Sequence, residues 1–188
     1  MAELNQEVAM NIRQVAVERC SVISKKSFAE VVQAVHGAIG HPDMAAFGKA
    51  MFMAGSDAEL RAVVDAATGA AGLMEFVRFD LGMVLQKERG AAAPKSLRLV
   101  MGNPVTMKSM VNHVPDAGSY APVTILIDER GDGVHLSYDR MASFLAGYGN
   151  EAALAVAREL DAKVERILVA AAAGRAREPE TLPLHSQR

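Results

Sequence analysis

The 188 residues include a single cysteine, Cys20. That scarcity closes two routes at once, because one thiol forms no intramolecular disulfide and builds no cysteine zinc site. It suits a reducing cytoplasm. An excess of either charge is also missing. Twenty Lys and Arg stand against 22 Asp and Glu, and no basic stripe or acidic tail points to nucleic acid or to a basic partner. No apolar run approaches the roughly 18 residues needed to span a bilayer. Met1 to Glu7 is acidic and has no apolar signal core. The expectation is a soluble, cytoplasmic protein with neither nucleic acid nor membrane as partner. Catalytic signatures are absent too. There is no G-x-S-x-G, H-E-x-x-H, G-x-G-x-x-G or phosphate loop, no Ser-His-Asp order stands out, and no internal repeat is visible.

What is present is punctuation. The length suits one core and is short for two, and 51% hydrophobic residues, many of them Ala, favour helices. Gln14 to Ser24 reads as a first strand. Ser27-Phe28-Ala29-Glu30 is a capping box, opening a helix whose apolar face is Phe28, Val31, Val32, Val35 and Ile39. Gly40, His41 and Pro42 end it. Asp43 and a second box, Ser56 to Glu59, open two short helices, so 41–72 reads as a helical hairpin set between larger elements. Leu73–Phe79 and Leu97–Met101 read as strands, separated by a helix over Leu81–Arg89. Asn103 caps a helix with Pro104 at its first position, running to about His113. Val123–Asp128 and Val134–Tyr138 flank Gly131-Asp132-Gly133, a hairpin signal. A short helix over Arg140–Leu145 precedes a long one capped by Asn150. The expected division is a flexible start at 1–12, one α+β domain over 13–174 and a flexible tail at 175–188. The fold expected is a mainly antiparallel sheet with helices packed on one face.

Four stretches carry a family resemblance: Gly102-Asn103-Pro104, then Val114 to Gly118, then Ala121 to Ile127, then Gly133 to Asp139. In this order they resemble the bacterial and archaeal family called "domain of unknown function 302", over about 75–170 plus the strand and helix at 14–40. The resemblance implies a TATA-binding-protein-like α+β fold, often dimeric, with no settled activity. The hairpin at 41–72 looks like an insertion relative to short members. Many relatives carry a cysteine before the Asn-Pro and another at the next strand. Here those places hold Gly102 and Val123, so a thiol role does not carry over.

Strand alternation points Leu97, Leu99, Ile125, Ile127, Val134, Leu136 and Tyr138 towards the helices, and Arg98, Val100, Thr124, Leu126, His135 and Ser137 the other way. That half-polar face suits a dimer interface or an anionic ligand, or it simply meets solvent. Met107, Met110 and His113 recur at i, i+3 and i+6, which could serve copper(I) or haem but is also ordinary core patterning. His36 and His41, near Met44, Met51 and Met53, pose the same choice. Gly102-Asn103-Pro104 opens a helix straight after a strand and is either an anion site or a local cap. Glu75, Arg78 and Asp80, near Lys87, Glu88 and Arg89, read as a surface ion-pair cluster. The leading expectation is a homodimeric small-ligand-binding or regulatory protein without catalysis, with Arg98, Asn103, His113, Tyr120, His135 and Tyr138 as candidate ligand contacts. The alternatives are an enzyme for a small anionic substrate, with His113 as acid/base beside Asn103, Asp116, Tyr120 and Tyr138, and a haem or copper protein using Met107, Met110 and His113.

Overall fold

A computed structural model of the chain describes residues 10–173. Its elements, in order, are β1 (Arg19–Ser24), α1 (Phe28–Ala38), α2 (Met44–Met53), α3 (Asp57–Ala67), β2 (Met74–Asp80), α4 (Leu81–Arg89), β3 (Ser96–Gly102), α5 (Pro104–Val111), β4 (Val123–Arg130), β5 (Gly133–Asp139), α6 (Met141–Ala146) and α7 (Glu151–Ala172). Single 3-10 turns follow α4 and α5, at Gly90–Ala92 and Pro115–Ser119. The strands form one antiparallel sheet in the order β1-β5-β4-β3-β2. This is the α+β layer expected from the order of turns and caps. Among the described residues no helix is long and apolar enough to cross a membrane. The terminal stretches expected to be flexible fall mostly on 1–9 and 174–188, outside the described residues.

The caps act where the sequence puts them. Ser27 accepts from the Glu30 N–H while the Glu30 carboxylate takes the Ser27 N–H, closing the box at α1. Asp43, Ser56, Asp80, Asn103 and Asn150 each cap the helix that follows them. The first strand departs from expectation. It starts at Arg19, not Gln14, because β5 ends at Asp139 opposite Arg19. One further bond, from the Arg140 N–H to the Glu18 carbonyl, extends the ladder, and beyond it no strand remains to pair.

Period-2 alternation splits the sheet into two unlike faces. Leu97, Leu99, Met101, Val123, Ile125, Ile127, Val134, Leu136 and Tyr138 are buried against Val31 and Val35 of α1, Met110 of α5 and the apolar stripe Ala153, Ala157, Leu160, Val164 and Leu168 of α7. Each such side chain withdrawn from water contributes about 2 kcal/mol. Among the described residues the other face carries no helix layer, and Val77 and Phe79 of β2 and Ile23 of β1 are exposed.

The α2–α3 hairpin has its own small core, Phe47, Val64 and Met74. It joins the sheet at a backbone crossing. The N–H groups of Gly40 and Gly69 both donate to the Leu73 carbonyl, at 2.9 and 3.0 Å, and the Gly40 carbonyl accepts from the Glu75 N–H. A Cβ at Gly40 would lie 2.0 Å from the Ala67 carbonyl oxygen, and one at Gly69 2.4 Å from the Ile39 carbonyl carbon. Only glycine lets the two chain segments approach this closely.

Candidate functional site

The open face of the sheet is assembled by register. Arg98 on β3 pairs with Leu126 on β4, which pairs with Ser137 on β5, so all three point the same way. Val100 pairs with Thr124, and Arg19 with Asp139. Over Arg19, Arg98, Thr124, Leu126, Ser137 and Asp139 runs a groove of about 570 Å³. Leu81, the first residue of α4, lines it, and Ser119, Tyr120, Pro122 and Phe144 form a second wall. The size is that of a small-molecule site.

The charge pattern of the groove is uneven. Arg19 holds Asp139 through two bonds of 2.6 and 2.7 Å, and its guanidinium keeps that carboxyl below the usual range. Arg78 holds Glu75 through two bonds, and Arg130 holds Asp128. Arg98 is the fourth arginine of the sheet. It is exposed and has no hydrogen bond or ion pair among the described residues. Arg19 and Asp139 cancel, so among the described residues Arg98 is the one uncompensated charge lining the groove. In the same groove the hydroxyls of Thr124 and Ser137 carry no partner among the described residues.

The wall opposite is stiff. The rings of Tyr120 and Phe144 stack with centroids 4.8 Å apart. The Tyr120 and Tyr148 hydroxyls lie 3.0 Å apart, and Tyr148 donates to Asp116 at 2.8 Å. Those two bonds, with Tyr120 the larger influence, raise the Tyr148 phenol above its ordinary value. The Arg13 guanidinium covers the Tyr148 ring at 4.2 Å.

A second cavity of about 410 Å³ adjoins the groove. Its walls are Met51 of α2, Phe76 and Val77 of β2, Val100 and Gly102 of β3, Met107 and Met110 of α5, and Leu160 of α7. Asn103 and Thr106 are its polar members, and among the described residues no charged side chain lines it. Pro122 and Val123 belong to both cavities.

The residues singled out from sequence therefore divide. Arg98 and Tyr120 meet in the groove. Tyr138 borders it, but its side chain follows the inward alternation. It is 1% exposed, and its hydroxyl donates to Asp161 at 2.6 Å. Burial, reinforced by Asp161, raises that phenol well above its usual value. Asn103 is fully used as a cap: Oδ1 accepts from Val105 and Thr106, and Nδ2 donates to the Gly72 carbonyl. His113 is exposed past the end of α5 and lines neither cavity. His135 is on the open face as expected, yet it is nearly buried. It lies between Ile23 and Asp128 in register, and Nε2 is 2.7 Å from Asp132. Met107 and Met110 line the apolar cavity without His113. His36 and His41 do share a face, with stacked rings 3.5 Å apart. His41 Nδ1 lies 3.2 Å from Glu75, and Nε2 lies 2.8 Å from the His36 carbonyl. Among the described residues no three His, Cys, Asp or Glu side chains are grouped to hold a metal ion. Of the expected ion-pair cluster, Glu75 and Arg78 pair, whereas Asp80 caps α4.

Two features escaped the sequence reading. Asp161 sits on the apolar stripe of α7, where its spacing reads as one more exposed charge. Tyr148 lies in a glycine-flanked turn, Gly147-Tyr148-Gly149, with no local pattern to place its hydroxyl. Arg19 and Asp139 had a usable signal, since both fall on the open-face parity of paired strands.

No curated protein matches the chain. Among solved structures, an uncharacterized conserved protein from Bacillus stearothermophilus, itself described as DUF302, superposes with a TM-score of 0.57 at 10% identity, over 81% of this chain and 97% of that one. That likeness concerns the fold. The model of the family described as "Domain of unknown function DUF302" matches residues 53–171, from the end of α2 almost to the end of α7. The chain belongs to the DUF302 family.

Proposed function

We propose that this protein is a cytoplasmic, homodimeric binding protein without catalytic activity, and that it takes a small organic monoanion on the open face of its sheet. The observation that carries this reading is Arg98. It is an unpaired guanidinium in a groove of ligand size, where each other arginine of the sheet already holds a carboxylate. A guanidinium offers a planar fork that matches one carboxylate, and Thr124 and Ser137 supply neutral partners in the same groove. Binding is favoured over catalysis by the state of the neighbouring groups. The Asp139 carboxylate is committed to Arg19, and the Tyr138 phenol to Asp161 in the core. Neither is poised near neutral pH for proton transfer. Self-association is supported by Val77, Phe79, Leu81, Met83 and Val84, a run of exposed apolar side chains on β2 and α4.

Calorimetric titration with acetate and benzoate tests the reading. Binding is expected for the native protein, weakened about ten-fold or more in Arg98→Gln, because a charge-assisted hydrogen bond contributes about 1.5–3 kcal/mol. Equal binding to both proteins, or none to either, overturns it.

A further inference from the structure

The apolar cavity raises a question the anion site leaves open. A cleft of about 410 Å³, lined mainly by apolar side chains with Asn103 and Thr106 as its polar members, is not filled by acetate. Its position answers the question. Arg98 and Val100 lie on the same face of β3, two residues apart, hence about 7 Å along the strand. Arg98 lines the groove and Val100 the cleft. Thr124, in the groove, is the direct register partner of Val100. Pro122 and Val123 are walls of both spaces. The charge is therefore confined to one compartment, and the adjoining one contains none.

We propose that the two cavities form one site for an amphipathic monocarboxylate. The carboxylate meets the Arg98 guanidinium and the Thr124 hydroxyl. The hydrocarbon tail passes Pro122 and ends among Met51, Met107 and Met110. Methionines suit such a tail, since their unbranched side chains adapt to its shape. The α2–α3 hairpin thereby gains a role, because Met51 supplies a wall of the tail compartment. A dianionic head is disfavoured, since among the described residues only one uncompensated cation lines the groove. This inference rests on the Arg98 reading and names the class of ligand that reading left general.

The test is a chain-length series: straight-chain carboxylates from acetate to decanoate, kept below micelle formation, against the primary alcohols of equal length. Affinity for the acids should rise about four-fold per methylene until the cleft is full. In the native protein each alcohol should bind at least ten-fold more weakly than its acid, and Arg98→Gln should abolish that difference. Val100→Phe, which narrows the passage, should flatten the chain-length dependence while leaving acetate binding unchanged. Should Val100→Phe fail to fold, Val77→Trp at an exposed cleft position serves the same purpose. Arg98-dependent binding with no gain from acetate to decanoate overturns the amphipathic ligand and leaves the anion site standing. Absence of Arg98-dependent binding at every length overturns both. Alcohols that bind as tightly as acids, with Arg98→Gln indifferent, also overturn both and make the cleft a site for uncharged molecules.

Discussion

Asp161 is a carboxylate on the apolar stripe of α7, 1% exposed. A buried charge survives only when its oxygens are saturated. Here Oδ1 accepts from the Tyr138 hydroxyl at 2.6 Å and the Met141 N–H at 2.7 Å, and Oδ2 accepts from the Ala142 N–H at 3.0 Å. The carboxylate thus caps α6, whose N-cap residue Arg140 offers no side-chain cap. It also ties the end of β5 to the long helix. Asp161→Ala should cost about 3 kcal/mol, since three donors lose their acceptor inside the core. Tyr138→Phe removes only one of the three and should cost about 1 kcal/mol. Denaturant titration at neutral pH checks both. The pH dependence follows from Tyr138. Its folded pKa lies above the free value of 10.0, so its contribution is complete below pH 10 and declines as pH rises beyond that point, when the unfolded chain ionises first. The stability gap between native protein and Tyr138→Phe should therefore narrow above pH 10, by up to about 1.4 kcal/mol per pH unit. A gap that widens instead would contradict the buried, neutral phenol.

At the scale of elements, local chemistry was legible and long-range meeting was not. Ser27, Asp43, Ser56, Asn103 and Asn150 each announce a helix through a side-chain oxygen that bonds two or three residues on, so four or five residues suffice to see it. Period-2 alternation placed Arg98 and Thr124 on one face for the same reason. The groove could be half seen in this way. Its other wall could not, because Tyr120, Phe144 and Tyr148 come from a 3-10 turn, α6 and the turn after it, and their meeting depends on how α6 packs. His135 shows a related limit: parity gave its face correctly, but burial came from the neighbours Ile23 and Asp132. The glycines at 40 and 69 could be read as helix ends, whereas their contact across 29 positions could not. That contact yields the sharper prediction. Asn103→Ala loses a cap and the bond to Gly72, and should cost about 1–2 kcal/mol. Gly69→Ala must push the Ile39 backbone aside and should cost about 3 kcal/mol, although both sites are outside the main core. Thermal melts of the two variants should rank them in that order.

At the scale of the whole molecule, the fold buries one face of a five-stranded sheet under helices and leaves the other uncovered, and a half-covered sheet asks what protects its apolar residues. Phe79 poses that question most clearly. It is 47% exposed, it pairs with Arg98, and it lines neither cavity. It therefore separates self-association from ligand binding, which Val77 cannot do because that residue also lines the cleft. If copies associate through β2 and α4, Phe79→Glu sets like charges against each other at the interface. A dimer measured by light scattering after size exclusion should become a monomer. The melting behaviour of the monomer should change little beyond the loss expected from dissociation, since the residue contributes nothing to the core. Arg98 in the variant should still bind acetate, perturbed only by the new carboxylate next to it. Phe79→Ser, which introduces no charge, distinguishes the two influences by leaving acetate binding unchanged while still weakening the dimer. A native protein that is monomeric at 100 μM, a concentration about a hundred times that which a micromolar dimer needs, would remove the interface and leave Phe79 as a solvent-exposed neighbour of Arg98.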